Sequence, residues 1–250
     1  MKFTYESYVA MIMKLIDKGY YIKDYKTWRE DGRTVILRHD VDYSLPKAVL
    51  LSEIEKNICG GGAIYFILLS TDFYNAHSKA SRECIDNIMK NGGNIGLHFD
   101  ETQYAISDKE ALKEYVCKEA EVLSNIIGTK VDMVSMHRPS KKILLSNIEF
   151  PGVINSYSEI FFKEMKYVSD SRRHWRENVD EIIEQALCPR LHILTHPFWY
   201  QKDGEKNLDQ TLEEAILNAS LDYYDNLNDN FRDLQNEVER TKIERIIYQL

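Results

Sequence analysis

Cysteine is scarce in this chain of 250 residues: Cys59, Cys84, Cys117 and Cys188 lie far apart, never in the short CxxC spacing of a zinc knuckle. A disulfide framework is therefore excluded as the organising device, and reduced cysteines are expected. No stretch has the length and unbroken apolarity of a membrane span. The first 19 residues carry Lys2, Glu6, Lys14, Asp17 and Lys18 among their apolar positions, without the uninterrupted core of a signal peptide, so a cytoplasmic location is expected. Basic clusters interleaved with aromatics are missing too. With a net charge of -8, phosphate-dominated nucleic-acid binding is not expected, and a polyanionic substrate is disfavoured. Neither an internal repeat nor a Gly/Ser linker divides the chain, and residues 1–250 are expected to form a single domain.

What is present suffices for a folded core, since 44% of residues are hydrophobic and 29% charged. Apolar positions at helical spacing run from Thr4 to Lys18 and stop at Gly19, a common residue just beyond a helix C-terminus. A β-branched run, Thr34-Val35-Ile36-Leu37, reads as a buried strand. Ser44-Leu45-Pro46 then caps a helix through about Asn57. Further strands are expected at Ala63 to Leu69, Asn94 to His98, Val131 to Met136 and Leu191 to Thr195, with shorter extended pieces near 152–155 and 167–169. Helices are expected between them at 79–90, at 107–127 behind a Ser107/Glu110 capping box, and at 179–186. Residues 207–250 read as helices without a motif. Alternating strands and helices imply a mainly parallel sheet.

The informative regularity is where the polar residues fall. Asp40 and Asp42, His98, His137 and Arg138, Asp170, and His196 each follow an apolar strand run. In a parallel barrel the C-terminal strand ends share one face, so these residues would meet there. If 38–42 stay extended, Asp40 and Asp42 point to the same side. Two carboxylates that close call for a cation, a proton, or different jobs.

In order and spacing, RHDVD (38–42), GLHFDE (96–101), MHRP (136–139), VSDS (168–171) and LTHP (194–197) resemble the polysaccharide deacetylase, or NodB-homology, superfamily. The likeness is closer to its branch of WbmS-like proteins of O-antigen clusters, and it covers roughly residues 30 to 200. It implies a distorted seven-stranded (β/α) barrel, TIM-barrel-like, here with a C-terminal helical extension over 207–250. The implied activity is metal-dependent removal of an N-acetyl group from a sugar, a free N-acylated sugar, a nucleotide-sugar or a lipid-linked saccharide, in surface polysaccharide biosynthesis. Residue by residue, Asp40 matches the catalytic base, Asp42 a metal ligand, His98 the first metal histidine, Arg138 the arginine that pairs with the base, Asp170 the polar fourth motif and His196 the general acid. The implied ion is zinc first, with cobalt, nickel or iron as alternatives. One departure stands out: where the family carries a second histidine, this chain has Thr102. His137 is the first candidate to replace it, with Asp100 or Glu101 behind.

The residues also admit plainer uses. Asp40 and Asp42 can form Asx caps at a strand end, His98 can be a satisfied core histidine, His137-Arg138-Pro139 a simple strand exit, and Asp170 the cap of the next turn. Tyr43, Trp175, Phe198, Trp199 and Tyr200 flank the motifs, where aromatic faces pack or stack on a sugar. Two rival functions remain: a barrel that keeps the fold but not the metal, for which Thr102 argues, and a non-haem iron oxygenase using His98, Asp100 and His196.

Overall fold

The computed structural model describes residues 1–248 apart from 31, 145 and 203. The chain divides into two compact units, 1–203 and 204–250.

In the first unit strands and helices alternate: α1 (Tyr5–Asp17), β1 (Tyr21–Ile22), β2 (Thr34–Val41), α2 (Leu45–Cys59), β3 (Ile64–Leu68), α3 (Lys79–Lys90), β4 (Asn94–Asp100), α4 (Lys109–Ile127), β5 (Met133–His137), the short α5 (Lys141–Leu144), β6 (Ile154–Asn155), α6 (Glu159–Lys163), β7 (Lys166–Ser169), α7 (Val179–Gln185) and β8 (Arg190–Thr195). Local chemistry sets the boundaries. The Thr4 hydroxyl accepts from the amide of Ser7 to start α1. Ser44 caps α2, Pro46 sits in its first turn, and Gly60 ends it at φ 83°. At α4 the expected Ser107/Glu110 box is not used. Asp108 is the cap, accepting from Ala111, because the Ser107 hydroxyl is itself spent on the Asp108 carboxylate.

Every strand pairing is parallel, in the order β6-β5-β4-β3-β2-β8-β7, which gives a curled seven-strand sheet consistent with the distorted (β/α) barrel. The two-residue β1 pairs with the start of β2, beside the stretch that β3 covers further on. β6 and β7 are the two ends of the path, so the sheet has an open seam between them.

Period-two alternation divides the apolar residues between two cores. Odd positions of β2, β3 and β4, such as Val35, Leu37, Tyr65, Ile67, Leu97 and Phe99, pack against the helices. The even ones face inward, where Ile36, Ile64 and Phe66 meet Met133, Tyr25, Trp28, Phe161 and Met165. Each such aliphatic or aromatic side chain contributes roughly 1.5–3 kcal/mol by leaving water. Phe66 fills the interior because its β4 neighbour is Gly96, where an added Cβ would lie 2.5 Å from the ring. The second unit is α8 (Leu208–Asn230), α9 (Leu234–Glu237) and α10 (Arg240–Tyr248). Asn207 and Gln210 form a reciprocal capping box at its start, and Tyr224 donates to the Val238 carbonyl across it. Residues 249 and 250 of the expected helical stretch lie outside the described residues. All four cysteines are free. Among the described residues no helix is long and apolar enough to cross a membrane.

Candidate active site

Strand β2 carries three charges inward in succession, because Arg38, Asp40 and Asp42 differ by two residues. Arg38 is fully buried, and its guanidinium grips Asp40 as a fork: Nε donates to Oδ1 and Nη2 to Oδ2, each at 2.8 Å. Nη2 also reaches the Ser135 hydroxyl, and the guanidinium lies between the rings of Phe66 and Tyr157, 5.4 and 4.8 Å from their centroids. Burial pushes the Asp40 carboxyl up, but Arg38, with His98 and His196, holds it below the ordinary aspartate value. Asp40 is thus a buried carboxylate kept ionised.

Asp42, just past the strand, meets two histidines from the neighbouring strand ends. Its Oδ1 lies 3.1 Å from His98 Nε2 and 3.3 Å from His137 Nδ1, and the two nitrogens are 3.1 Å apart. These three residues are the one group among those described whose His, Cys, Asp or Glu atoms converge closely enough to hold a metal. The triangle fits a divalent ion. Donor atoms about 2.0–2.1 Å from a common centre stand roughly 3.3–3.4 Å apart in a tetrahedron and roughly 2.8–3.0 Å apart in an octahedron, which brackets the observed edges. The donor chemistry agrees. Asp42 Oδ1 is buried without a hydrogen bond, and the other nitrogen of His98, Nδ1, faces the Ser135 carbonyl at 3.4 Å, which leaves Nε2 free as a ligand. Burial pushes the Asp42 carboxyl up; the imidazoles of His137 and His98 outweigh it and hold Asp42 far below its usual range.

His196 closes the arrangement from the end of β8, its Nε2 4.0 Å from Asp42 Oδ2. Its Nδ1 is 2.6 Å from Asp170 Oδ1, and its backbone N–H donates to Asp170 Oδ2 at 3.1 Å. Asp170 is fully buried and also accepts from the Tyr200 hydroxyl. Burial pushes the His196 imidazole down, but the adjacent Asp170 carboxylate raises it to about 9. The ring is therefore a proton donor at neutral pH whose free nitrogen points to the metal candidates.

Asp40, Asp42, His98, His137, Asp170 and His196 are brought together as their strand-end positions suggest. Arg138 is not with them. It follows β5 at φ 48°, a left-handed conformation costly for a non-glycine residue, and turns to donate to Asp100 Oδ2 at 2.8 Å. The arginine against Asp40 is Arg38, which reaches it within the same strand. Asp100 has its other oxygen filled by the amide and hydroxyl of Thr102, and Glu101 is taken by the amide and hydroxyl of Ser140. Neither acid is left to serve as a third ligand. The oxygenase triad of His98, Asp100 and His196 is not assembled for the same reason, and the parallel sheet differs from the antiparallel roll of those enzymes.

Sequence reasoning missed the support beneath the site. His39 points away from it, to the helix side of β2, with Nε2 2.7 Å from Glu55 Oε1 and Nδ1 2.6 Å from Thr195 Oγ1. Glu55 also accepts from the hydroxyls of Tyr8 at 2.5 Å and Tyr65 at 2.7 Å, and all five groups are buried. The network fastens β2 beside Asp40 to β8 beside His196. His192 fills the barrel interior and meets the Tyr25 hydroxyl at 2.9 Å; burial and the nearby Arg38 lower it to about 3, so it is neutral there.

No family model matches the sequence, and no curated protein does. Solved structures do. The chain is similar to the CE4 domain of a multidomain xylanase from the hindgut metagenome of Trinervitermes trinervoides, at TM-score 0.43 and 15% identity over 74% of this chain and 82% of that one. A CE4 family pseudoenzyme from Bacillus anthracis matches at TM-score 0.43 and 14% identity, over 76% of this chain and 61% of its own. The peptidoglycan deacetylase of Bacillus subtilis matches at TM-score 0.36 and 16% identity, over 79% of this chain and 98% of its own.

Proposed function

We propose that the protein is a metal-dependent hydrolase that removes an N-acyl group, acetyl in the first instance, from a sugar. One observation carries the reading: a three-donor triangle, with His98 buried and Asp42 and His137 partly open to solvent, stands between a carboxylate kept ionised by Arg38 and an imidazole kept protonated by Asp170. Asp42, His98 and His137 would hold the ion, zinc foremost with cobalt, nickel or iron as alternatives. When bound, such an ion polarises a carbonyl oxygen and acidifies water to a pKa of about 7.

The protein's own groups divide the proton transfers. Asp40 takes the proton from the attacking water, which it can do only while ionised, and the Arg38 fork secures that. His196 Nε2 then delivers a proton to the departing amine, because an amine anion leaves poorly. Asp170 fixes the tautomer by engaging Nδ1 and keeps the ring charged until the transfer. Burial of Asp40 and His98 keeps bulk water from competing for these protons. The resemblance of the ordered strand-end motifs to the WbmS-like branch supports a substrate from surface polysaccharide synthesis of the O-antigen type.

The test is amine release from a panel of N-acylated saccharides by protein loaded with zinc or cobalt, with Asp40→Asn as control. Asp40→Asn is expected to bind metal with the wild-type stoichiometry and release no amine. Full metal occupancy with no release from any N-acylated sugar would overturn the proposal in favour of the non-catalytic barrel.

A further inference from the structure

The donors of the triangle are not all aimed by the same means. His98 lies within β4, is buried, and turns its second ring nitrogen to the Ser135 carbonyl. His137 is the last residue of β5, paired in register with Asp100 of β4. Its Nδ1 meets Asp42 and His98, and among the described residues nothing is hydrogen-bonded to its Nε2. Histidine ligands are ordinarily oriented by a partner on the nitrogen turned away from the metal. For His137 the orientation must therefore come from the backbone that carries it.

That backbone is held off its preferred course. Arg138 has φ 48° and precedes Pro139, whereas a residue before proline favours extended geometry. A left-handed turn at such a residue persists only where the surroundings impose it. Here it is imposed from both sides of Pro139. Arg138 Nη2 donates to Asp100 Oδ2 at 2.8 Å, and Ser140 gives its amide and hydroxyl to Glu101. Asp100 is itself fixed: its side chain is buried, and its Oδ1 accepts from the Thr102 amide at 3.0 Å and hydroxyl at 2.7 Å. The end of β4 thus grips the segment 138–140 next to the residue that pairs with His137.

Resting on the reading of Asp42, His98 and His137 as a metal site, we infer that Arg138 and Asp100 are positioning residues for His137. Their pair is a latch that keeps the strained turn and so points Nδ1 into the triangle. With the latch open, the turn relaxes towards extended geometry and carries His137 away from Asp42 and His98. A plain charge effect has the opposite sign. Arg138 is a cation next in sequence to a ligand of a dication, so removing it would by charge alone tighten metal binding. A loss of affinity on deleting this positive charge therefore isolates the positional role.

The whole chain, stripped of metal, would be titrated with zinc against a chelating dye, followed by visible absorption with cobalt, and melted without metal. Arg138→Ala should bind zinc about ten- to 100-fold more weakly than wild type, with a changed cobalt spectrum as a nitrogen ligand leaves. Its metal-free Tm should stay within about 4 °C of wild type, because the Arg138 side chain is 66% exposed and Thr102 still holds Asp100. Arg138→Lys, which keeps a donor for Asp100, should restore most of the affinity, and Asp100→Asn should resemble Arg138→Ala. Zinc affinity that is unchanged or higher in Arg138→Ala overturns the latch and leaves the metal site standing. A larger fall in metal-free Tm that Arg138→Lys does not reverse marks a structural role and overturns it as well. Wild-type protein that takes up neither zinc nor cobalt overturns the metal reading, and the latch with it.

Discussion

Replacing Asp170 by Asn changes a carboxylate into an amide of nearly the same shape and asks what holds the proton on His196. In the intact site the imidazole rises from its usual 6.5 to about 9, even though burial opposes the charged form. That rise corresponds to about 3 kcal/mol of preference for the imidazolium, at roughly 1.36 kcal/mol per pKa unit, and the carboxylate 2.6 Å from Nδ1 is its chief source. Without that charge the ring should titrate near 6.5 or lower. If His196 is the acid, the alkaline limb of kcat/KM should move from about pH 9 down by roughly two units or more. The rate at pH 8 would then fall about thirtyfold while the rate at pH 6 changes little, as the protonated fractions at pKa ~9 and ~6.5 require. The assay is amine release against pH, paired with NMR titration of the ring proton in both proteins. Stability follows the same linkage. A raised pKa in the folded state stabilises fully below the unfolded value, and the effect disappears as pH climbs through 9. Thermal denaturation should therefore show Asp170→Asn furthest below wild type under pH 6.5 and closing on it above 9. An alkaline limb that stays at 9 in the variant would refute His196 as the proton donor.

Three further perturbations follow from the same geometry. Asp42→Asn or His137→Ala removes one of three ligands and should weaken zinc or cobalt binding more than about 100-fold, measured by titration calorimetry and elemental analysis; full occupancy in His137→Ala would move the third ligand elsewhere. Arg38→Met leaves Asp40 buried without its partner, so stability should drop by about 3–5 kcal/mol in urea. Where that variant still folds, the acidic limb of its activity should shift to higher pH, because burial would lose the chief group that opposes it. Glu55→Ala strands the buried donors of Tyr8, Tyr65 and His39. At about 1–3 kcal/mol per orphaned group, it should lower Tm by roughly 10 °C or more, and a change within a degree would show that water replaces the carboxylate.

The alternation of apolar strand runs and amphipathic helices was enough to read the parallel barrel, and the polar residue after each run located the site. What could not be read was pairing. Arg138 lies in the sequence where an arginine partner for the base is expected, yet Arg38 was the nearer choice by the same period-two rule that joined Asp40 to Asp42. Residues 38, 40 and 42 share one face, whereas Arg138 leaves its strand at positive φ and is carried to Asp100. Thr102 misled in the other direction. Its hydroxyl and amide secure Asp100, so the place of the expected histidine became part of the anchor for Arg138. The Glu55 network was invisible because its members come from α1, α2, β2, β3 and β8, and long-range hydrogen bonds leave no local pattern.

Parity along β2 separates chemistry from support. Even positions face the interior and present Arg38, Asp40 and then Asp42 to the site; His39, odd and between them, faces the helices and binds Glu55 and Thr195. On β8, Thr195 takes the outer network while His196, one residue later, takes the inner site. A buried hydrogen-bond network on the outer face can thus hold the strands carrying base and acid in register without adding a charge to the chamber where protons move. A one-residue slip of β2 against β8 would exchange these roles, turning Asp40 outward and His39 inward, and would cost both networks at once. The same register that buries the core therefore also sets the distance between the proton acceptor and the proton donor.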